Sequence, residues 1–194
     1  VDVTQLVTVT TSVGPARWHL DAAPGRVRAV LALGHGAGGG ADAPDLQLLA
    51  RRLPEVDVTV ARFEQPWRVA GRSVAGPPRQ LDAAWSEALP ALRAHTPEPP
   101  LVVGGRSAGA RVACRTAAPS GAGGVLSLAF PLHPPGRPER TRAAELVTDC
   151  PLLVVQGTRD PFGSADEVRA VVGGGEAEVE PITGADHSLR VARA

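Results

Sequence analysis

Leu101-Val102-Val103-Gly104-Gly105-Arg106-Ser107-Ala108-Gly109-Ala110-Arg111-Val112-Ala113 is the stretch whose reading decides the fold. A run rich in β-branched residues stops at two glycines, one serine follows, and a segment of good helix formers starts at once. Gly105 to Gly109 fits G-x-S-x-G, the pattern of a nucleophile elbow, in which a strained strand-to-helix turn exposes the serine Oγ. The glycines two before and two after Ser107 have a steric reason, because a Cβ there would collide with a neighbouring strand or helix as the chain reverses. A helix starting directly after the serine also aims the N–H of Ala108 and the positive end of its dipole at an oxyanion.

Working outward, strands are expected over residues 1–11, 16–20, 28–33, 56–61, 125–130, 152–156 and 176–182, besides the one that opens at Leu101 and stops at the glycines before Ser107. Helices are expected over 46–53, 79–94, the segment after Ser107, 165–172 and a short C-terminal piece after His187. The loop with Pro66, Trp67, Arg68, Arg72 and the Gly76-Pro77-Pro78 turn lies between the fourth strand and the long helix, and residues 131–138 form a proline-rich loop carrying His133. Continuous apolar strands alternating with helices imply a mostly parallel sheet covered on both faces. At 194 residues this suits a single domain over the whole chain. Reactive groups then belong at the carboxyl ends of the strands, and Ser107, Asp160, His187 and the glycine loop at His35 each follow a strand directly.

Composition narrows the function. The formal net charge of zero gives no electrostatic case for nucleic acid, and no apolar run approaches the roughly eighteen residues of a membrane span, so a small neutral or modestly charged substrate and a cytoplasmic setting are expected. Many Ala, Gly 22, Pro 19 and no lysine point to a GC-rich, bacterial coding sequence. The missing lysine also excludes a phosphate-binding P-loop. Cys114 and Cys150 are too few for a disulfide framework and lack metal-ligand spacing.

A serine hydroxyl needs an adjacent base, and that base needs a group that fixes its tautomer. Ser107, Asp160 and His187 supply these three in the order serine, acid, histidine. Asp160 in Asp-Pro-Phe-Gly also fits a turn aspartate, and Asp186, adjacent to His187 and so poorly placed to orient its ring, fits a cap. In His35-Gly36-Ala37-Gly38 small residues allow close approach to a substrate carbonyl, with the N–H of Ala37 as second oxyanion donor and His35 ordering the loop. Gly34 to Gly39 also satisfies the G-x-G-x-x-G of a dinucleotide fold, although no acidic residue clearly closes the next strand. Further pocket candidates are His35 itself, Gly36, Trp67, Arg68, Arg72 and His133, the two arginines as partners for an acidic substrate group. His19 and His95 have no partner pattern and are read as structural or solvated.

With these residues in place, the chain resembles the α/β-hydrolase superfamily over nearly its whole length. Its short insertions look most like compact dienelactone-hydrolase-like members. Gly34 to Gly38, Pro66-Trp67-Arg68-Val69-Ala70-Gly71, Gly105 to Gly109 and Gln156-Gly157-Thr158-Arg159-Asp160 are similar to the testis-expressed hydrolase-like family. The resemblance implies a three-layer α/β/α sandwich with about eight strands, a Ser107/His187/Asp160 triad, and no metal or organic cofactor. Ser107 stands where dienelactone hydrolases have cysteine, so lactone substrates are not carried over. Only about twenty residues separate Phe130 from Leu152, too few for a helical cap domain. The expected activity is hydrolysis of carboxylic esters or thioesters through an acyl-enzyme, the alternative being a catalytically silent binding or scaffold module.

Overall fold

Strands that are apolar on both sides need cover on both sides, and the chain meets that need by returning through helices between parallel strands. A computed structural model describes residues 4–173 and 177–191. Within them run β1 (Gln5–Thr11), β2 (Gly14–Asp21), β3 (Ala29–Gly34), α1 (Pro44–Arg52), β4 (Val58–Glu64), α2 (Pro66–Val69), α3 (Pro78–His95), β5 (Leu101–Arg106), α4 (Ala108–Ser120), β6 (Gly124–Leu128), β7 (Leu152–Gly157), α5 (Ala165–Val172) and β8 (Ala177–Ile182). The described strands form one eight-stranded sheet in the order β1-β2-β4-β3-β5-β6-β7-β8. Strands β3 to β8 are mutually parallel, whereas β2 pairs antiparallel with both β1 and β4.

One face of the sheet packs against α3, α4 and α5 over a core that includes Trp18, Phe63 and Trp85. These three rings are fully buried with centroids 4.7 to 5.5 Å apart, and the Trp18 indole N–H donates to the Ala88 carbonyl at 3.0 Å. The opposite face carries α1, whose Leu46 and Ala50 pack on Leu31, Leu33, Val60 and Leu128. This is the three-layer α/β/α arrangement anticipated above. Between β6 and β7 the described chain makes only loop and two short 3-10 turns, so no cap domain rises over the carboxyl ends of the strands. No helix of the described residues is long and apolar enough to cross a membrane.

Several boundaries move for local reasons. β4 starts at Val58 rather than at 56 because Leu53–Val56 continues α1 as a 3-10 turn, closed by Asp57 at φ 66°. It runs on to Glu64 because it has partners on both edges, β2 and β3. β6 ends at Leu128, since Ala129 at φ 47° turns its N–H to the Val155 carbonyl. The expected loop at Pro66 contains the single turn α2, with Pro66 at its first position. No helix forms over residues 188–191: Leu189 has φ 54°, and an isolated bridge joins Ala185 to Val191. Residues 192–194, the rest of that expected helix, lie outside the described residues, as do 1–3 and residue 176 of two expected strands.

Candidate active site

The serine turn is built by close backbone approach. β3 and β5 pair in parallel with Gly34 opposite Gly105, and α4 leaves β5 directly over them. A Cβ on Gly105 would lie 2.6 Å from the Gly109 carbonyl carbon, and one on Gly109 would run into the Gly34 backbone. Ser107 sits at φ 53°, ψ −110°, a conformation costing a side-chain-bearing residue about 1–3 kcal/mol. Its N–H donates to Leu128 O at 2.9 Å and its carbonyl accepts from Arg111 N at 3.2 Å, so both neighbouring elements hold the strain in place.

At the carboxyl end of β7 and after β8, Asp160 and His187 come to this serine. His187 Nδ1 lies 2.8 Å from Asp160 Oδ2, and His187 Nε2 lies 3.0 Å from Ser107 Oγ. A carboxylate only accepts, so Nδ1 carries the proton and Nε2 is left to accept from the serine hydroxyl. Asp160 is buried and combines the two roles its sequence allowed: Oδ1 closes the Asp-Pro-Phe turn by accepting from Phe162 N at 2.8 Å, while Oδ2 faces the imidazole. Asp186 accepts from Ser188 N and Arg190 N, capping the turn after His187 and staying off the ring. The Phe162 ring lies against the imidazole at a centroid distance of 4.2 Å.

The glycine loop reaches the serine from the other side. His35 is buried, with Nδ1 2.8 Å from Gly36 O and Nε2 3.2 Å from Gln65 N, which makes it a neutral ring donating from Nδ1 and accepting at Nε2. Burial pulls its pKa below the usual 6.5, against the opposing effect of the Gly36 hydrogen bond. Helix α1 starts only at Pro44, five residues beyond Gly39, so its N-terminus does not close on the glycine loop as a dinucleotide fold requires.

An open groove of 1110 Å³ contains Ser107 and His187. Gly36, Ala37 and Arg68 line it as expected, joined by Leu48, Leu49, Phe162, Ile182 and Leu189, which give it a largely apolar wall. Arg106 also faces the groove: Nη2 donates to His187 O at 2.8 Å, and Nε lies 3.0 Å from Asp45 Oδ2 on α1. Three expected pocket residues and His35 do not line this groove. Trp67 is buried edge-on against His35. Arg72 lies on the exposed turn after α2, its N–H bound to Trp67 O. His133 turns both ring nitrogens away, toward Pro134 O and Glu167 Oε1.

Sequence reasoning passed over Arg106, Phe162 and Gln156. For Gln156 there was a signal, a lone polar residue at the end of the apolar run Leu152-Leu153-Val154-Val155. Cys114 is buried in α4, and burial pushes its thiol up to about 12, which leaves it unreactive. Among the described residues no group of three or more His, Cys, Asp or Glu is arranged to hold a metal ion.

Comparison with known proteins agrees with this architecture. A family model described as "Alpha/beta hydrolase domain" matches residues 27–194. Among solved structures, an alpha-beta serine hydrolase homologue from Coxiella burnetii superposes with TM-score 0.80 at 20% identity, covering 96% of this chain and 90% of that one. XC6422 from Xanthomonas campestris, described as an a/b serine hydrolase without lid, gives 0.74 at 23% identity, covering 96% and 86%. Est1E from Butyrivibrio proteoclasticus gives 0.71 at 14% identity, covering 95% and 90%. At these identities the likeness is one of fold. A comparison with curated protein sequences finds no match.

Proposed function

Since the chain belongs to the alpha/beta hydrolase domain family, we propose that it is a serine hydrolase cleaving carboxylic ester or thioester bonds through an acyl-enzyme on Ser107. The observation that carries this is the hydrogen-bonded row from Ser107 Oγ through His187 to Asp160, at 3.0 and 2.8 Å, opening onto a groove. A binding module has no need of a serine in a strained conformation aimed at a base.

In the proposed reaction His187 Nε2 takes the hydroxyl proton as Ser107 Oγ attacks the acyl carbon, and Asp160 stabilises the imidazolium formed. The N–H groups of Ala37 and Ala108 receive the oxyanion, the second as the first residue of α4, where an N–H has no partner within its helix. His187 then hands its proton to the departing alcohol or thiol. Water enters, gives a proton to Nε2 and attacks the acyl-enzyme; collapse returns that proton to Ser107 Oγ and frees the carboxylic acid. The apolar wall from Leu48 to Ile182 suits a small, apolar acyl group, and Arg68 lies at hand for a polar end of the substrate.

A fluorophosphonate probe, which bonds covalently to an activated serine, tests this. Wild type is expected to label, and Ser107→Ala and His187→Ala each to lose at least about a thousandfold in rate. Folded wild type that does not label, or a labelled Ser107→Ala variant, overturns the proposal.

A further inference from the structure

Gln156, the last residue but one of β7, is a completely buried primary amide, and such a group is destabilising unless its donors and acceptor are met. They are met from three directions. Oε1 accepts from Phe130 N at 2.8 Å; Nε2 donates to Gly163 O at 2.7 Å and to Asp160 Oδ2 at 3.0 Å, with Phe130 O at 3.2 Å. This surrounding fixes the amide's orientation. Turned over, the side-chain oxygen would face two carbonyls and a carboxylate, and the NH2 group would face the Phe130 N–H. An N–H is therefore held against Oδ2, the same oxygen that receives His187 Nδ1–H at 2.8 Å.

We propose that Gln156 is a positioning residue of the hydrolytic site, which sets how strongly Asp160 holds the imidazole of His187. This rests on the serine-hydrolase proposal above. The Asp160 carboxylate receives three donors, Phe162 N on Oδ1 and the Gln156 amide and His187 on Oδ2. Each charge-assisted donor draws off electron density that would otherwise serve the histidine alone. With the amide in place the carboxylate orients the ring without over-stabilising its protonated form, so Nε2 can return a proton to the leaving group. The same amide clamps the chain after β6, at Phe130, to the turn that carries Asp160, at Gly163, and so holds the carboxylate in line with the ring.

Loss of the donor has a sign that a purely structural clamp does not share. In Gln156→Met the side chain keeps its length and loses the donor, so the Asp160 carboxylate is left to Phe162 N and the imidazole. The imidazolium is then favoured, and the acid limb of the pH dependence of fluorophosphonate labelling moves to higher pH by roughly half a pH unit or more. A folded variant whose limb stays at the wild-type pH overturns the inference.

Should that variant not fold, wild type alone decides. The Gln156 side-chain amide signals in ¹⁵N-resolved NMR are expected to move with pH over the interval in which the His187 ring signals move, because the two groups share Oδ2. Amide signals that stay still there overturn it. Failure of the hydrolase proposal is separately visible, as wild type that does not label; the NMR titration needs no activity.

Discussion

Ser107 is held by backbone, whereas His187, its partner across a single hydrogen bond, is held by side chains reaching in from other elements. Around the serine, β3, β5 and α4 meet at Gly34, Gly105 and Gly109, and the turn has no alternative course once those three lie in contact. Around the histidine, residues 184–191 form turns closed by the Asp186 carboxylate and one isolated bridge; Arg159 N and Thr158 Oγ1 anchor their start at Ala185 and Gly184, and the Arg106 guanidinium and the Phe162 ring hold His187 itself. The nucleophile's place is thus written in a few adjacent residues, and the base's place in residues far away along the chain.

The comparison breaks most sharply at Gly109. A Gly109→Ala methyl has no room against the Gly34 backbone, so the variant should lose at least about 3 kcal/mol of stability, read as a fall in the urea midpoint. An unchanged midpoint would mean that the corner is less closely packed than described. A smaller effect, on rate rather than on folding, is expected from Arg106→Met. It removes the tie to His187 O and the contact with Asp45, and should slow fluorophosphonate labelling by roughly 10- to 100-fold while β-sheet and helix signals remain. Equal losses of labelling and of stability in the two variants would erase the distinction between the two regions.

The glycine loop shares both kinds of support, and its effect is the smallest. His35 is held neutral between Gly36 and Gln65, and its folded pKa is lowered by burial. The unfolded chain then binds a proton more readily than the folded one, so the stability His35 contributes is complete above the ordinary 6.5 and is lost as pH falls from there toward the lowered value. Against His35→Gln, which cannot titrate there, the wild-type advantage in urea midpoint should narrow between pH 7 and pH 5. A constant gap would argue against a neutral, buried ring.

The same contrast explains what could be read in the sequence. The elbow, the apolar strands and the order serine, acid, histidine are local patterns, and the structure brings His187 within hydrogen-bond reach of both Ser107 and Asp160. Features set by distant partners were not legible. His133 follows a strand as a pocket residue would, yet Glu167 of α5 draws its ring away. The expected C-terminal helix depended on the spacing of a few residues, and it yields to the Asp186-capped turn and the bridge from Ala185 to Val191. α2 was read as loop because one turn begun by proline carries no periodicity. Gln156 and Arg106 owe their importance to atoms 26 and 81 positions away, at Phe130 and His187; the polar end of an apolar strand marks Gln156 as unusual without saying what it binds, and no local pattern marks Arg106.

The glycine corner has a further consequence for how the molecule comes apart. Amide protons of β3 and β5 can reach solvent only when the sheet itself opens, so they belong to the unit whose exchange reports global unfolding. The turns bearing His187 lie beyond the last strand and give up the bonds of Ala185 O with Arg159 N and of Gly184 N with Thr158 Oγ1, a guanidinium, an aromatic contact, a bridge and the two bonds of the imidazole itself. The two halves of one hydrogen bond therefore lie in parts of the protein that open with different free energies. On gentle warming the base is expected to depart before the sheet opens, leaving an intact serine with nothing to take its proton.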